Sequence, residues 1–148
     1  MPTERHQTIV GFLYEVVKAV IGPRGGKVVF APLRLRVRAG RFREPDLLVL
    51  VSGRDARRQD RFWLGADLVM EVVSPDDPER DLVRKRVEYA QTGVAEYWIV
   101  NPMDETITVL RLAGEGYIPS GVYPRGTAAV SDRVPDLRVD VVAVFDAD

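Results

Sequence analysis

The sequence predicts an α/β fold: a central mixed β-sheet flanked by α-helices. Three stretches lead there. Residues 67–102, DLVMEVVSPDDPERDLVRKRVEYAQTGVAEYWIVNP, read as strand, turn, helix, turn, strand, and two strands joined through a helix form a crossover unit with its strands parallel. Residues 47–51, LLVLV, are apolar throughout, as suits a strand at the centre of a sheet, covered on both faces. Residues 5–21 place Ile9, Val10, Phe12, Leu13, Val16, Val17, Val20 and Ile21 at helical spacing, the pattern of a helix buried along one side. A length of 148 residues suits one domain, residues 1–148, around one core.

The elements follow in order. Thr3 is placed to cap the first helix, and His6 in its first turn reads as a surface or capping histidine. GPRGGK (22–27) is a turn. It does not match a phosphate loop, because its glycine spacing is wrong, Val28 stands where Ser or Thr is needed, and a helix precedes it. Leu33, Leu35 and Val37 alternate with Arg34, Arg36 and Arg38, a half-exposed strand. Pro45 cannot donate to a ladder, so the 47–51 strand begins after it, with Asp46 at its entrance. Residues 52–66 form a charged loop with room for one helical turn.

Residues 67–73 alternate. Asp67, Val69, Glu71 and Val73 share one face; Leu68, Met70 and Val72 share the other. Glu71 is therefore a carboxylate in or beside a core, where a charge must be paired, protonated or metal-bound. In the next helix Asp77 fits the N-cap, Pro78 the first helical position and Gly93 the left-handed position past the end. Leu82, Val83, Val87 and Ala90 form its apolar stripe. Asp81, Lys85 and Glu88 form a separate one, with Tyr89 beside Lys85, so Lys85 can reach inward from the flank. EYWIVN and ETITVLRL are strands paired across a turn at NPMD; Tyr97 and Trp98 are expected to pack, or to form a subunit interface, rather than stack on bases. Residues 116–137 are rich in turn residues and hold short strands, and RVDVVAVF is equally a strand or a short helix.

Composition excludes several classes. The chain has no cysteine and one histidine, which removes disulfides, thiolate chemistry and multi-histidine zinc sites. No segment approaches a membrane span and the N-terminus has no signal-peptide pattern, so a cytoplasmic setting is expected. The net charge is −1, yet residues 34–61 hold nine arginines (Arg34, Arg36, Arg38, Arg41, Arg43, Arg54, Arg57, Arg58, Arg61) against four acids (Glu44, Asp46, Asp55, Asp60). That excess makes either a basic surface beside a cleft or a solvated strand face.

Asp46, Glu71 and Lys85 stand out as chemistry. Two carboxylates from neighbouring strands, with the Val72 carbonyl and waters, suit a hard cation such as Mg²⁺. Such an ion polarises a phosphoryl oxygen and acidifies water, and a lysine nearby orients that water or offsets developing charge. Each residue alone also fits a bland role: a Pro-Asp turn, a core acid paired with an arginine, a solvated helix charge.

EPDLLVLV, ADLVMEVVSP and RDLVRKRVEYAQTGVAEYWIVNP together resemble the Uma2 family, grouped with the PD-(D/E)xK, restriction-endonuclease-like nucleases. The most specific part is K-x-x-x-Y-x-x-x-G-V-x-E-Y-W-I-V, met by Lys85, Tyr89, Gly93, Val94, Glu96, Tyr97, Trp98, Ile99 and Val100; HQTIVGFLYEVV resembles the family's first core helix. The resemblance covers about residues 5–145. It implies that Asp46 is the Asp of the PD element and Glu71 the acid of the (D/E)xK element. The lysine due two residues later is absent, since position 73 is Val, and Lys85 on the following helix is its candidate replacement, with Gln91 a weaker one. The family also carries a further segment before the first helix, where Glu4 and Glu15 are the only acids here. The expected function is a Mg²⁺- or Mn²⁺-dependent endonuclease acting on DNA. The metal falls to Asp46, Glu71 and Val72, and catalysis to Asp46, Glu71 and Lys85. Its rivals are a catalytically degenerate relative that binds nucleic acid or itself, and a hydrolase of a smaller phosphoester. A homodimer through the sheet edge or the Trp98 region is the expected assembly.

Overall fold

The structure, a computed structural model, describes residues 2–148. Three helices, α1 (Glu4–Ile21), α2 (Glu79–Thr92) and α3 (Val141–Phe145), accompany eleven strands among the described residues. In chain order these are β1 (Lys27–Phe30), β2 (Arg34–Arg38), β3 (Arg41–Arg43), β4 (Leu47–Leu50), β5 (Phe62–Trp63), β6 (Leu68–Val72), β7 (Glu96–Asn101), β8 (Thr106–Ala113), β9 (Gly116–Tyr123), β10 (Ala128–Val130) and β11 (Arg138–Asp140).

A six-stranded sheet, ordered β1-β4-β6-β7-β8-β9, divides the molecule. β6 and β7 run parallel, joined through α2, and every other neighbouring pair is antiparallel. The sheet is therefore mixed and flanked by helices, as the crossover unit predicted. One face packs Leu47, Val49, Leu68, Met70, Val72 and Trp98 against Ile9, Leu13, Val17 and Ile21 of α1, with α3 and the β10–β11 hairpin completing that layer. The opposite face packs Leu48, Leu50, Val69 and Tyr97 against Tyr89 and Ala90 of α2 and Leu35, Val37 and Trp63 of a small sheet ordered β3-β2-β5. β4 and β6 carry apolar groups to both sides, which is why they read as continuous hydrophobic runs.

The first helix starts on the cap the sequence marks: the Thr3 hydroxyl accepts from the His6 N–H at 3.1 Å. Gly93 ends α2 with φ of 81°, the left-handed conformation only glycine adopts freely. Several expectations fail. Asp77 does not cap α2; Pro78 holds that position with no side-chain hydrogen bond, and the Asp77 carboxylate accepts from the Ser74 N–H at 2.9 Å. The expected apolar stripe of α2 is only partly used, because Val83 and Val87 face solvent while Glu88, Tyr89 and Ala90 are buried. The cause is the small sheet. Arg43 and Arg41 come from β3 to meet Glu88 at 3.1 and 3.4 Å, and Arg43 also meets Asp81 at 3.0 Å. The charged stripe thus faces inward and is neutralised there.

The 52–66 loop holds the two-residue strand β5, paired parallel to β2, instead of a helical turn. The turn-rich segment contains an eight-residue strand, β9, which pairs along β8 with a register shift at Val109/Leu110. RVDVVAVF is both things, β11 and then α3, with Asp140 capping the helix. Tyr97 and Trp98 are 1% and 0% exposed, so both pack within the chain as expected. No helix among the described residues is long and apolar enough to cross a membrane.

Candidate functional site

Asp46 lies one residue ahead of β4, and Glu71 is the fourth residue of β6. The β4–β6 register pairs Leu47 with Met70; extended by one residue it sets Asp46 across from Glu71 at the adjoining ends of the two strands. The Asp46 carboxylate is fixed through Oδ2, which accepts from the Val72 N–H at 2.7 Å and lies 3.3 Å from Nε2 of His6. No hydrogen bond from a described residue reaches Oδ1.

Glu71 points toward the α2 layer. Its Oε1 accepts from the Tyr89 hydroxyl at 2.6 Å, and Oε2 lies 3.4 Å from Nζ of Lys85, which also sits 3.8 Å from Asp81. Burial pushes the Glu71 carboxyl up to about 7; Lys85 opposes the rise, the charge of Asp46 adds to it, and the Tyr89 hydrogen bond opposes it. Burial and the Glu71 charge drive the Tyr89 phenol far above its ordinary value, so it stays a donor.

Of Asp46, Glu71 and Lys85, chosen from strand and helix periodicity and from a family motif, the structure brings Lys85 to Glu71 at 3.4 Å and Asp46 to the N–H of the next residue, Val72, at 2.7 Å. Lys85 reaches inward from the flank of α2, and neither carboxylate is held by an arginine among the described residues. Two other buried acids are held by other donors. Asp67 accepts from the Val51 N–H at 2.8 Å and from Arg57 at 2.9 Å. Glu96 accepts from Trp98 Nε1, Ser131 Oγ and the N–H groups of Asp132 and Arg133 at 2.6–3.1 Å. Donor groups saturate both, which makes them structural.

His6 corrects an expectation. It is neither a cap nor a surface group: its backbone N–H serves the cap, and its side chain, 17% exposed, turns to Asp46. The Asp46 hydrogen bond raises its pKa, burial opposes that, and the Asp46 charge, the Val72 backbone and the Glu71 charge add to the rise. Its Nδ1 is buried with no partner. The signal was present in the spacing, since His6 continues the buried stripe Ile9, Leu13, Val17 one turn toward the N-terminus.

The donor set suits a hard divalent cation better than a soft one. It offers two carboxylates, a backbone carbonyl beside them and no sulfur. A carboxyl held up to about 7 by burial and a neighbouring anion is one short of positive charge. No group of three or more His, Asp or Glu side chains among the described residues is arranged to hold a metal, so the set is limited to this pair, completed by backbone and water.

Comparison with known proteins agrees with this architecture. The model of the Uma2 family, described as "Putative restriction endonuclease", matches residues 1–142. A crystal structure from Anabaena variabilis ATCC 29413, described as "a putative nuclease belonging to DUF820", superposes with a TM-score of 0.79 at 21% identity, covering 98% of this chain and 82% of that one. At that identity the likeness is one of fold. No curated protein matches.

Proposed function

The chain belongs to the Uma2 family, and from that premise we propose that it is a Mg²⁺-dependent endonuclease that hydrolyses DNA phosphodiester bonds. The observation that supports the reading is that Asp46 and Glu71 lie at adjoining ends of β4 and β6, with the Asp46 carboxylate on the Val72 N–H and Lys85 Nζ 3.4 Å from Glu71.

Asp46, Glu71 and the Val72 carbonyl would hold the cation. When bound, it supplies Lewis acidity toward a phosphoryl oxygen and toward water. The protein's own groups prepare the rest. The Tyr89 hydroxyl and Lys85 each hold one oxygen of Glu71 and fix its plane. The Val72 N–H and His6 hold Oδ2 of Asp46, and no donor among the described residues takes Oδ1. Lys85 is the one ammonium at Glu71 among the described residues; it orients the attacking water and offsets the charge that grows on the phosphate as its bond to the leaving oxygen breaks. Burial of Glu71 keeps this balance of charge in a low dielectric, where it counts most.

The test is nicking of supercoiled plasmid with Mg²⁺ or Mn²⁺, beside Asp46→Asn, Glu71→Gln and Lys85→Ala. Wild type should nick, and each substitution should slow nicking by roughly a hundredfold or more. Wild type that leaves plasmid intact in both metals, or Glu71→Gln that nicks at the wild-type rate, would overturn the reading. Turnover of a small phosphodiester without plasmid cutting would move the substrate to that class.

A further inference from the structure

The small sheet divides the arginines that the sequence crowds into residues 34–61. Leu35 and Val37 point into the core, while Arg34, Arg36 and Arg38 alternate with them and face solvent. Arg43 and Arg41 go to Glu88, and Arg57 goes to Asp55 and Asp67. Among the described residues no carboxylate lies within ion-pair distance of Arg34, Arg36 or Arg38. The register pairs Arg36 with Phe42 and Arg34 with Phe62, which sets both rings on the same outward side. Phe42 and Phe62 meet edge to face at 5.2 Å, and the Arg34 guanidinium lies 4.4 Å above the Phe42 ring. The outer face is thus a row of three guanidinium groups with no ion-pair partner among the described residues, beside an aromatic pair; no acid stands at an outward position within the three strands, and Glu44 just past β3 and Asp60 just ahead of β5 flank them.

A strand rises about 3.3 Å per residue, so the row spans about 13 Å; phosphates recur every 3.4 Å of axis along one strand of B-DNA, which lets the row follow about four of them. Guanidinium groups bind phosphate oxygens through paired N–H donors. From this charge complementarity we infer that the outer face of the β3-β2-β5 sheet is a nucleic-acid backbone-binding surface, with Arg34, Arg36 and Arg38 as its phosphate contacts. The inference rests on the nuclease reading for the class of ligand and adds where the strand runs away from the site. The path is short. β3, next to this face, turns Arg43 inward onto Asp81, the neighbour of Lys85. An overall charge of −1 requires such a localised surface if the chain is to hold a polyanion at all.

The experiment measures binding of a fluorescent duplex oligonucleotide by anisotropy, without divalent metal, across a range of salt. Wild type is compared with Arg34→Gln/Arg36→Gln/Arg38→Gln. A control, Lys18→Gln/Arg111→Gln/Arg138→Gln, removes equal charge from exposed positions elsewhere. Thermal melting confirms that both variants fold. The expected result is a loss of roughly a hundredfold at 0.1 M salt for the outer-face variant, with the slope of log K on log salt smaller by about 2.7 and the control close to wild type. Equal losses in both variants, or wild type that binds no duplex at low salt, would overturn the inference. Because no cleavage is measured, plasmid that stays intact would defeat the nuclease reading and leave this surface standing. Cleavage with unchanged binding by the outer-face variant would do the reverse.

Discussion

Glu71 and His6 both feel the charge of Asp46, and both hold their protons more tightly in the folded chain than in the unfolded one. Burial holds the Glu71 carboxyl at about 7, above its unfolded value of 4.5. A raised acid binds more protons folded than unfolded, so its ionisation opposes folding as pH rises through 4.5 to 7. Glu71→Gln should therefore raise stability by about 2–3 kcal/mol at pH 8, with the gain fading toward pH 4.5; urea unfolding at both values measures it. Holding a cation needs the ionised form, so nicking should decline as pH falls below about 7. His6 has its pKa raised by Asp46, so its stabilisation is complete below about 6.5 and lost as pH climbs past its raised value. His6→Gln should lower the melting temperature at pH 5.5 and change it little at pH 9. At this scale the sequence was partly legible. Period-two spacing exposed Glu71 among apolar neighbours, and the helix angle showed that Lys85 could reach it. The pairing of His6 with Asp46 joins residues 40 positions apart on different elements, and no local pattern announces that.

Among the elements, α2 shows where periodicity misleads. Counting apolar residues turns Val83 and Val87 inward, yet both are exposed. What decides the face is a partner from elsewhere in the chain: Arg43 of β3, 12% exposed at its side chain, bridges Asp81 and Glu88. Burial works to raise the Glu88 carboxyl, and hydrogen bonds from Arg43 and Arg41 outweigh it and hold it below the usual range. Arg43→Met should cost about 3 kcal/mol, because it strips the closer partner from a buried carboxylate. Chemical denaturation gives the loss. The same variant frees α2 from β3, and with it the post on which Lys85 stands, so nicking should weaken as well. Helix ends were easier to read than faces: Thr3 and Gly93 act through residues adjacent in sequence, whereas Asp77 was drawn into a turn with Ser74.

For the molecule as a whole, the crossover unit and the doubly apolar strand were enough to indicate a mixed sheet with helices on both sides. The small sheet was not, because β5 is two residues long and its pairing with β2 spans a charged loop. Both cores share the strands of one sheet, so thermal unfolding should be a single cooperative transition. In hydrogen exchange the amides of β4, β6 and β7 should be last to exchange and those of edge strands β1 and β9 earlier.

The site borrows from both sides of that partition. His6 rides on a helix packed against one face, Lys85 and Tyr89 on a helix packed against the other, and the two carboxylates lie between. An ion gripped there would act as a rivet through all three layers. Saturating Mg²⁺, at about a hundred times its dissociation constant, should then lift global stability by about 2.7 kcal/mol, and Asp46→Asn should abolish the lift, so calorimetry of the entire fold can report on occupancy with no substrate in the cell.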